Sequence, residues 1–125
     1  MLNLVVVFVG GAVGSLCRYW FSTLVSQRFG NSFPYDTLFV NLVGSFMVGL
    51  IAGYVMRFAG TTWGQLAQEF FAVGVCGGLT TFSSFSLQTF DLISNKRWVA
   101  ALINIVVSTV ACLAFVALGW MITCR

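Results

Sequence analysis

Histidine is absent from this 125-residue chain, and only Asp36, Glu69 and Asp91 are acidic. With no imidazole and three scattered carboxylates, the sequence has little to offer acid–base catalysis or a transition-metal centre, and no enzyme is expected. Charge of either sign is scarce. Charged residues make up 7% of the chain, against about 25% in soluble domains. With 59% hydrophobic residues, this reads as an integral membrane protein with no room for a soluble domain. The net charge of +3 is small and dispersed, so a nucleic-acid partner is not expected. Cys17, Cys76, Cys112 and Cys124 form no C-x-x-C pair and read as small hydrophobes in apolar surroundings. Met1-Leu2-Asn3 lacks the basic segment that opens a signal peptide, so none is expected. No repeat or low-complexity tract is visible.

What the chain does have is long apolar runs. A membrane-crossing helix needs about 20 mostly apolar residues. Four such spans fit, at roughly 4–25, 37–56, 66–93 and 98–123, which makes one all-α transmembrane domain over 1–125. Pro34-Tyr35-Asp36 is a start signal for the second span. The connections near Gln27–Phe33, Arg57–Trp63 and Ser94–Arg97 are short, which implies antiparallel neighbours in a four-helix bundle. Glycines recur as G-x-x-x-G at Gly10/Gly14, Gly49/Gly53 and Gly74/Gly78, and Gly11/Ser15 is a further small pair. Such spacing lets helix backbones approach closely in lipid.

The third span departs from the pattern. No charge occurs from Phe70 to Phe90, yet this stretch holds Gly77-Gly78-Leu79-Thr80-Thr81-Phe82-Ser83-Ser84-Phe85. Glycine loosens a helix. At membrane depth, non-helical backbone survives only where it is buried in protein or lines a watery path. A helix broken near residues 75–81, at a binding site, is therefore expected. Carbonyls freed at such a break favour cations, and freed N–H groups favour anions. Gly77 and Thr80 could offer carbonyl oxygens to a small hard cation. Phe82 and Phe85 are spaced to share one face, as packing residues or as positive ring edges turned toward an anion. Thr80, Thr81, Ser83 and Ser84 add hydroxyl donors beside them.

Other polar groups fall inside spans. Arg18 either snorkels or bonds carbonyls, or it acts as a vestibule charge that draws anions. Asn41 makes either an interhelical hydrogen bond or an anion contact. Asn104, Ser108 and Cys112 share one face of span four, as packing or as a pore wall. Four spans put both termini on one side with Arg57 and Arg125, against Arg28, Lys96 and Arg97 on the other. Two charges against three gives almost no positive-inside bias. Such a chain could insert in both orientations and pair antiparallel with itself.

These motifs resemble the bacterial fluoride channels of the CrcB/Fluc family. The stretch from Gly10 to Tyr19 is similar to that family's G-x-x-G-x-x-x-R-Y. Thr37 to Phe46 resembles its T-L-x-V-N-x-x-G-S-F, and Gly77 to Phe85 its G-G-x-T-T-F-S-T-F. The resemblance covers nearly the whole chain. It implies a dual-topology antiparallel homodimer in the bacterial plasma (inner) membrane, with two pores that export cytoplasmic fluoride. It also implies a structural sodium ion at the dimer centre, held by backbone carbonyls of Gly77 and Thr80. Asn41, Phe82 and Phe85 would line the anion path, with Ser83, Ser84, Ser108 and Arg18 contributing. Asn104 joins them as part of the less regular polar track of span four.

Two positions depart from the family pattern. Ser84 stands where threonine is common, and Gln88 where glutamate is common. Two rival readings remain. A small multidrug exporter would resemble proton-coupled carriers with a glutamate deep in helix one, where this chain has Arg18 and no acid. A holin-like assembly protein would have no use for Asn41 or the Thr80–Phe85 pattern.

Overall fold

A computed structural model describes residues 1–124. Arg125, which enters the charge count above, lies outside the described residues. Four helical segments are long and apolar enough to cross a membrane: Leu2–Phe29, Tyr35–Arg57, Thr62–Ser94 and Trp98–Thr123. The first, second and fourth are the continuous helices α1 (Leu2–Phe29), α2 (Tyr35–Arg57) and α6 (Trp98–Thr123). They outrun the expected spans at most ends, because polar residues at a membrane surface can continue a helix that its apolar middle has already paid to nucleate. Gly30 ends α1 at φ 74°, a left-handed value that suits glycine. Asp36 in the first turn of α2 and Arg57 in its last both complement the helix dipole.

The third segment is composite. Thr61 opens it by accepting the Gly64 N–H at 3.1 Å, the usual service of an N-capping threonine. Helix α3 (Thr62–Ala67) passes into a π-helix over Gln68–Cys76 and then a single turn, α4 (Gly77–Leu79). Thr80 (ψ 156°) and Thr81 (φ −152°, ψ 115°) are extended, and α5 (Phe82–Ser94) follows. Within the expected 75–81 stretch, only these two threonines leave helical dihedrals. Thr81 caps α5, its Oγ1 accepting the Ser84 N–H at 3.2 Å. The 13 residues of α5 span about 20 Å at about 1.5 Å each, so the extended pair lies well inside a hydrocarbon core of about 30 Å.

Packing relies on backbone proximity. Helix α1 lies along the third segment, and α2 along α6. A methyl group at Gly10 would sit 2.5 Å from the Phe70 carbonyl oxygen, and one at Gly78 2.5 Å from that of Gly11. Across the second interface, a methyl at Gly119 would strike the Phe46 carbonyl and one at Gly49 the Val116 carbonyl. Glycine is required at these crossings because any side chain would separate the backbones. The protomer is inverted relative to a soluble protein. Among the described residues the buried apolar ones are Val40, Cys76, Leu79, Leu92 and Ala101, and they are matched by the polar Thr37, Thr81, Thr89, Asn104 and Ser108. Large apolar side chains cover the outside, as a lipid solvent demands.

Candidate functional site

The extended threonines are held by α2. In a continuous helix the Thr81 N–H would donate to the Gly77 carbonyl. Here it donates to Asn41 Oδ1 at 2.8 Å, and Asn41 Nδ2 returns a bond to the Thr81 carbonyl at 3.2 Å. One side chain thus satisfies both backbone groups of an extended residue at membrane depth. One N–H of the Asn41 amide is left over.

Beside this clamp is a cleft of about 350 Å³. Asn41 and Ser45 of α2, the Thr80–Thr81 pair, Phe82 and Phe85 of α5, and Ser108 and Cys112 of α6 line it. Val48 and Val116 complete an otherwise apolar wall. The Phe82 and Phe85 rings are tilted at 45° with centroids 5.5 Å apart. Phe82 is 78% exposed on the protomer, and Phe85 is half-buried. This is a largely apolar space with a few convergent polar groups.

Four of the residues expected on the anion path therefore share one cavity, Asn41, Phe82, Phe85 and Ser108, and Thr80, expected at the cation, lines it as well, with Cys112. Arg18, Ser83, Ser84 and Asn104 do not line it. Ser83 and Ser84 turn their hydroxyls toward Thr81 Oγ1, at 3.2 and 3.1 Å, and reinforce the cap of α5. Arg18 reaches the break from α1, its Nη1 3.4 Å from the Thr80 carbonyl oxygen, as in the carbonyl-bonding alternative. Asn104 is 2% exposed and sits behind Ser108. Ser108 donates to Asn104 Oδ1 at 3.3 Å, and Asn104 Nδ2 donates to Thr89 Oγ1 at 2.9 Å. Sequence reasoning missed Thr89 entirely. The available signal was a threonine one turn after Phe85 in an apolar run, too common to single out. It also missed Thr109, Val48 and Val116, which nothing but their placement sets apart.

The cation ligands were expected at Gly77 and Thr80. Among the described residues, no three His, Cys, Asp or Glu side chains gather to hold a metal, so a cation here would need carbonyl oxygens. The Gly77 carbonyl has lost its helical donor to Asn41, and Gly77 is exposed, with nothing within 4 Å of a methyl placed on it. That fits a hard cation. The Thr80 carbonyl fits less freely, since Arg18 approaches it, but a carbonyl oxygen has two lone pairs.

A second, more polar cavity of about 640 Å³ opens where the α1–α2 and α5–α6 connections meet. Gln88 lies in it, its Nε2 3.3 Å from Asp36 Oδ1, and Arg97 donates to the Ser32 carbonyl at its rim. The glutamine at this position therefore neutralises nothing but solvates a carboxylate.

Residues 5–120 match the family model described as CrcB-like protein, Camphor Resistance (CrcB). A Geobacter protein named fluoride-specific ion channel FluC is 44% identical, over 98% of this chain and 97% of its own length. Proteins of the same name from Paramagnetospirillum magneticum and Rhodospirillum rubrum are 42% and 45% identical, covering 95% and 90% of this chain and 93% and 88% of their own. Matched along nearly its full length and carrying four helices of membrane-crossing size, the chain belongs to the CrcB-like family as a multi-pass membrane protein.

Proposed function

We propose that this chain forms a passive, fluoride-selective channel that lets the anion leave the cytoplasm. The observation that carries the reading is the cleft in which Asn41, Phe82, Phe85 and Ser108 converge. Relatives named fluoride-specific ion channel support it. In acid surroundings hydrogen fluoride diffuses inward and ionises, and the trapped anion needs an exit.

The chemistry follows from the walls. A strongly hydrated anion must exchange water for protein donors. The spare N–H of Asn41 and nearby hydroxyls supply hydrogen bonds. The ring edges of Phe82 and Phe85 supply weak positive potential without a countercharge. A site assembled from such modest contacts releases the ion as readily as it accepts it, which conduction requires. Among the described residues no basic side chain lines the cleft, so selectivity rests on its width and on the cost of stripping water.

The channel is a homodimer of two oppositely inserted copies. The near-balanced basic residues permit both orientations. The exposure of Phe82, and the open space beside Gly77, suit a face completed by a second copy. The broken third segments meet at the dimer centre, where the Gly77 and Thr80 carbonyls of both copies would hold a sodium ion. Bound there, the ion supplies positive charge that offsets the carbonyl dipoles crowded at the break.

Efflux from liposomes containing the purified protein tests the reading. Rapid loss of fluoride with chloride retained is expected. Failure to pass fluoride, or equal passage of chloride, would sink it.

A further inference from the structure

We propose that buried Asn104 and Thr89 are positioning residues that decide whether Ser108 faces the anion path as a hydrogen-bond acceptor or as a donor. The proposal rests on the channel reading above and deepens it. The three side chains form a line running away from the cleft, and all are buried: Ser108 is 8% exposed, Thr89 6% and Asn104 2%. Only Ser108 lines the cavity.

The polarity of this line follows from counting protons. Thr89 Oγ1 lies 2.7 Å from the Phe85 carbonyl oxygen, which can only accept, so the hydroxyl donates there. Its single proton is then spent, and the group facing it at 2.9 Å must be the donating Nδ2 of Asn104. The Asn104 carbonyl oxygen therefore faces Ser108, whose own proton goes to it at 3.3 Å. In this arrangement Ser108 turns lone pairs toward the cleft, the wrong polarity for an anion.

Turning the Asn104 amide over reverses every bond. Thr89 would then donate to Asn104 Oδ1, Nδ2 would donate to Ser108 Oγ, and the Ser108 proton would be free for the anion. The Phe85 carbonyl keeps its helical N–H partner within α5. Each arrangement makes three hydrogen bonds once the anion is counted, so the exchange costs little net bonding. The donor reaching the anion is also strengthened by the donor behind it, since bonds in a chain polarise one another. Water at the same position is served by either polarity, whereas an anion is served by one. The line thus presents a hydroxyl that accepts until an anion arrives and then donates.

Two readouts test this. The first is the side-chain amide resonance of Asn104 in 15N-labelled protein in micelles. Ser108→Ala and Thr89→Val should each shift it, and sodium fluoride should shift it in the parent chain but not in Ser108→Ala. An amide signal indifferent to Ser108→Ala overturns the relay, whether or not the protein conducts. The second is liposome efflux. Thr89→Val keeps shape and takes two hydrogen bonds from the accepting arrangement but one from the donating one, so it should bias Ser108 toward donation and change fluoride efflux roughly two- to tenfold, the effect of one net hydrogen bond. Thr89→Ser should restore the rate, and in a Ser108→Ala background Thr89→Val should add nothing. An equal change in that background assigns Thr89 to packing and overturns the proposal. A parent protein that passes no fluoride refutes the channel reading, while the amide shifts still decide the relay.

Discussion

Asn41 and Thr81 exchange two hydrogen bonds across the α2–α5 boundary: the Thr81 N–H to Asn41 Oδ1 at 2.8 Å, and Asn41 Nδ2 to the Thr81 carbonyl at 3.2 Å. The amide thereby substitutes for one rung of a helix that Thr81 has left. Asn41→Leu leaves both backbone groups of a buried residue unpaired. Each such group costs about 1–3 kcal/mol, so the variant should unfold at lower temperature in detergent and lose most fluoride efflux. An unchanged melting temperature would show that Thr81 is held by something else.

The phenylalanines make a sharper case against simple packing. Phe82→Ile and Phe85→Ile keep apolar bulk and remove the ring edge. Fluoride efflux should fall in each, while the assembled species persists on size-exclusion chromatography. Unimpaired flux in both removes the rings from the mechanism.

Neighbouring glycines should behave oppositely. Gly78 abuts the Gly11 carbonyl, so Gly78→Val forces α1 away from the third segment. Overpacking of this kind costs about 1–3 kcal/mol, and the yield of folded protein should drop. Gly77 has helical dihedrals and open space within the protomer. Gly77→Ala should therefore fold, and its effect should fall on association, read as a shift from dimer to monomer in detergent. A Gly77→Ala protein that remains fully dimeric would place the centre of assembly elsewhere.

Sodium dependence follows from the carbonyls at the break. Replacing sodium by N-methylglucamine during purification and assay should lower efflux and weaken the dimer. Full activity without sodium would count against the Gly77–Thr80 site.

The polar mouth offers a charge test. Gln88→Glu sets a second carboxylate against Asp36, where Gln88 Nε2 now stands 3.3 Å from Oδ1. The added negative charge repels an approaching anion, so fluoride efflux through the variant should fall below the parent's, and more so at low salt. Equal efflux at every salt concentration would separate this mouth from the conduction route.

Much of the architecture was legible because membrane helices follow from composition. Lipid leaves only helices and closed barrels to satisfy the backbone, and uninterrupted apolar runs of about 20 residues fit a spanning helix rather than a strand of about 10. The glycines at 10, 14, 49, 53, 74 and 78 were equally readable as close-contact positions, though not which helix each would meet. The site was legible in kind more than in arrangement. Asn41 was visible as a buried amide, but its partner lies 40 residues away and no local pattern points to it. The stripe of Asn104, Ser108 and Cys112 was correctly placed on one face. Periodicity gave no sign that Asn104 would sit behind Ser108 while Cys112 met the cleft. Ser83 and Ser84 were legible as hydroxyl groups beside the rings, but not their contacts with Thr81 Oγ1 at 3.2 and 3.1 Å, which follow from their place two and three residues past the N-cap.

By itself, the sequence determined the solvent, the secondary structure and the neighbourhood of the site. Scarce charge and long apolar runs leave no alternative to spanning helices, and clustered glycine and hydroxyl groups at membrane depth have to answer for their backbone. Tertiary structure alone decided which polar group satisfies which. The Thr81 N–H could have turned to Gly77, to water or to a ligand, and it goes to Asn41 because α2 packs close enough to present the amide there. That bond leaves the Gly77 carbonyl without its helical donor, while the packing of α5 on α6 separately brings Thr89 behind Asn104. Hydrogen bonds act over about 3 Å, and only the packed bundle sets distances on that scale.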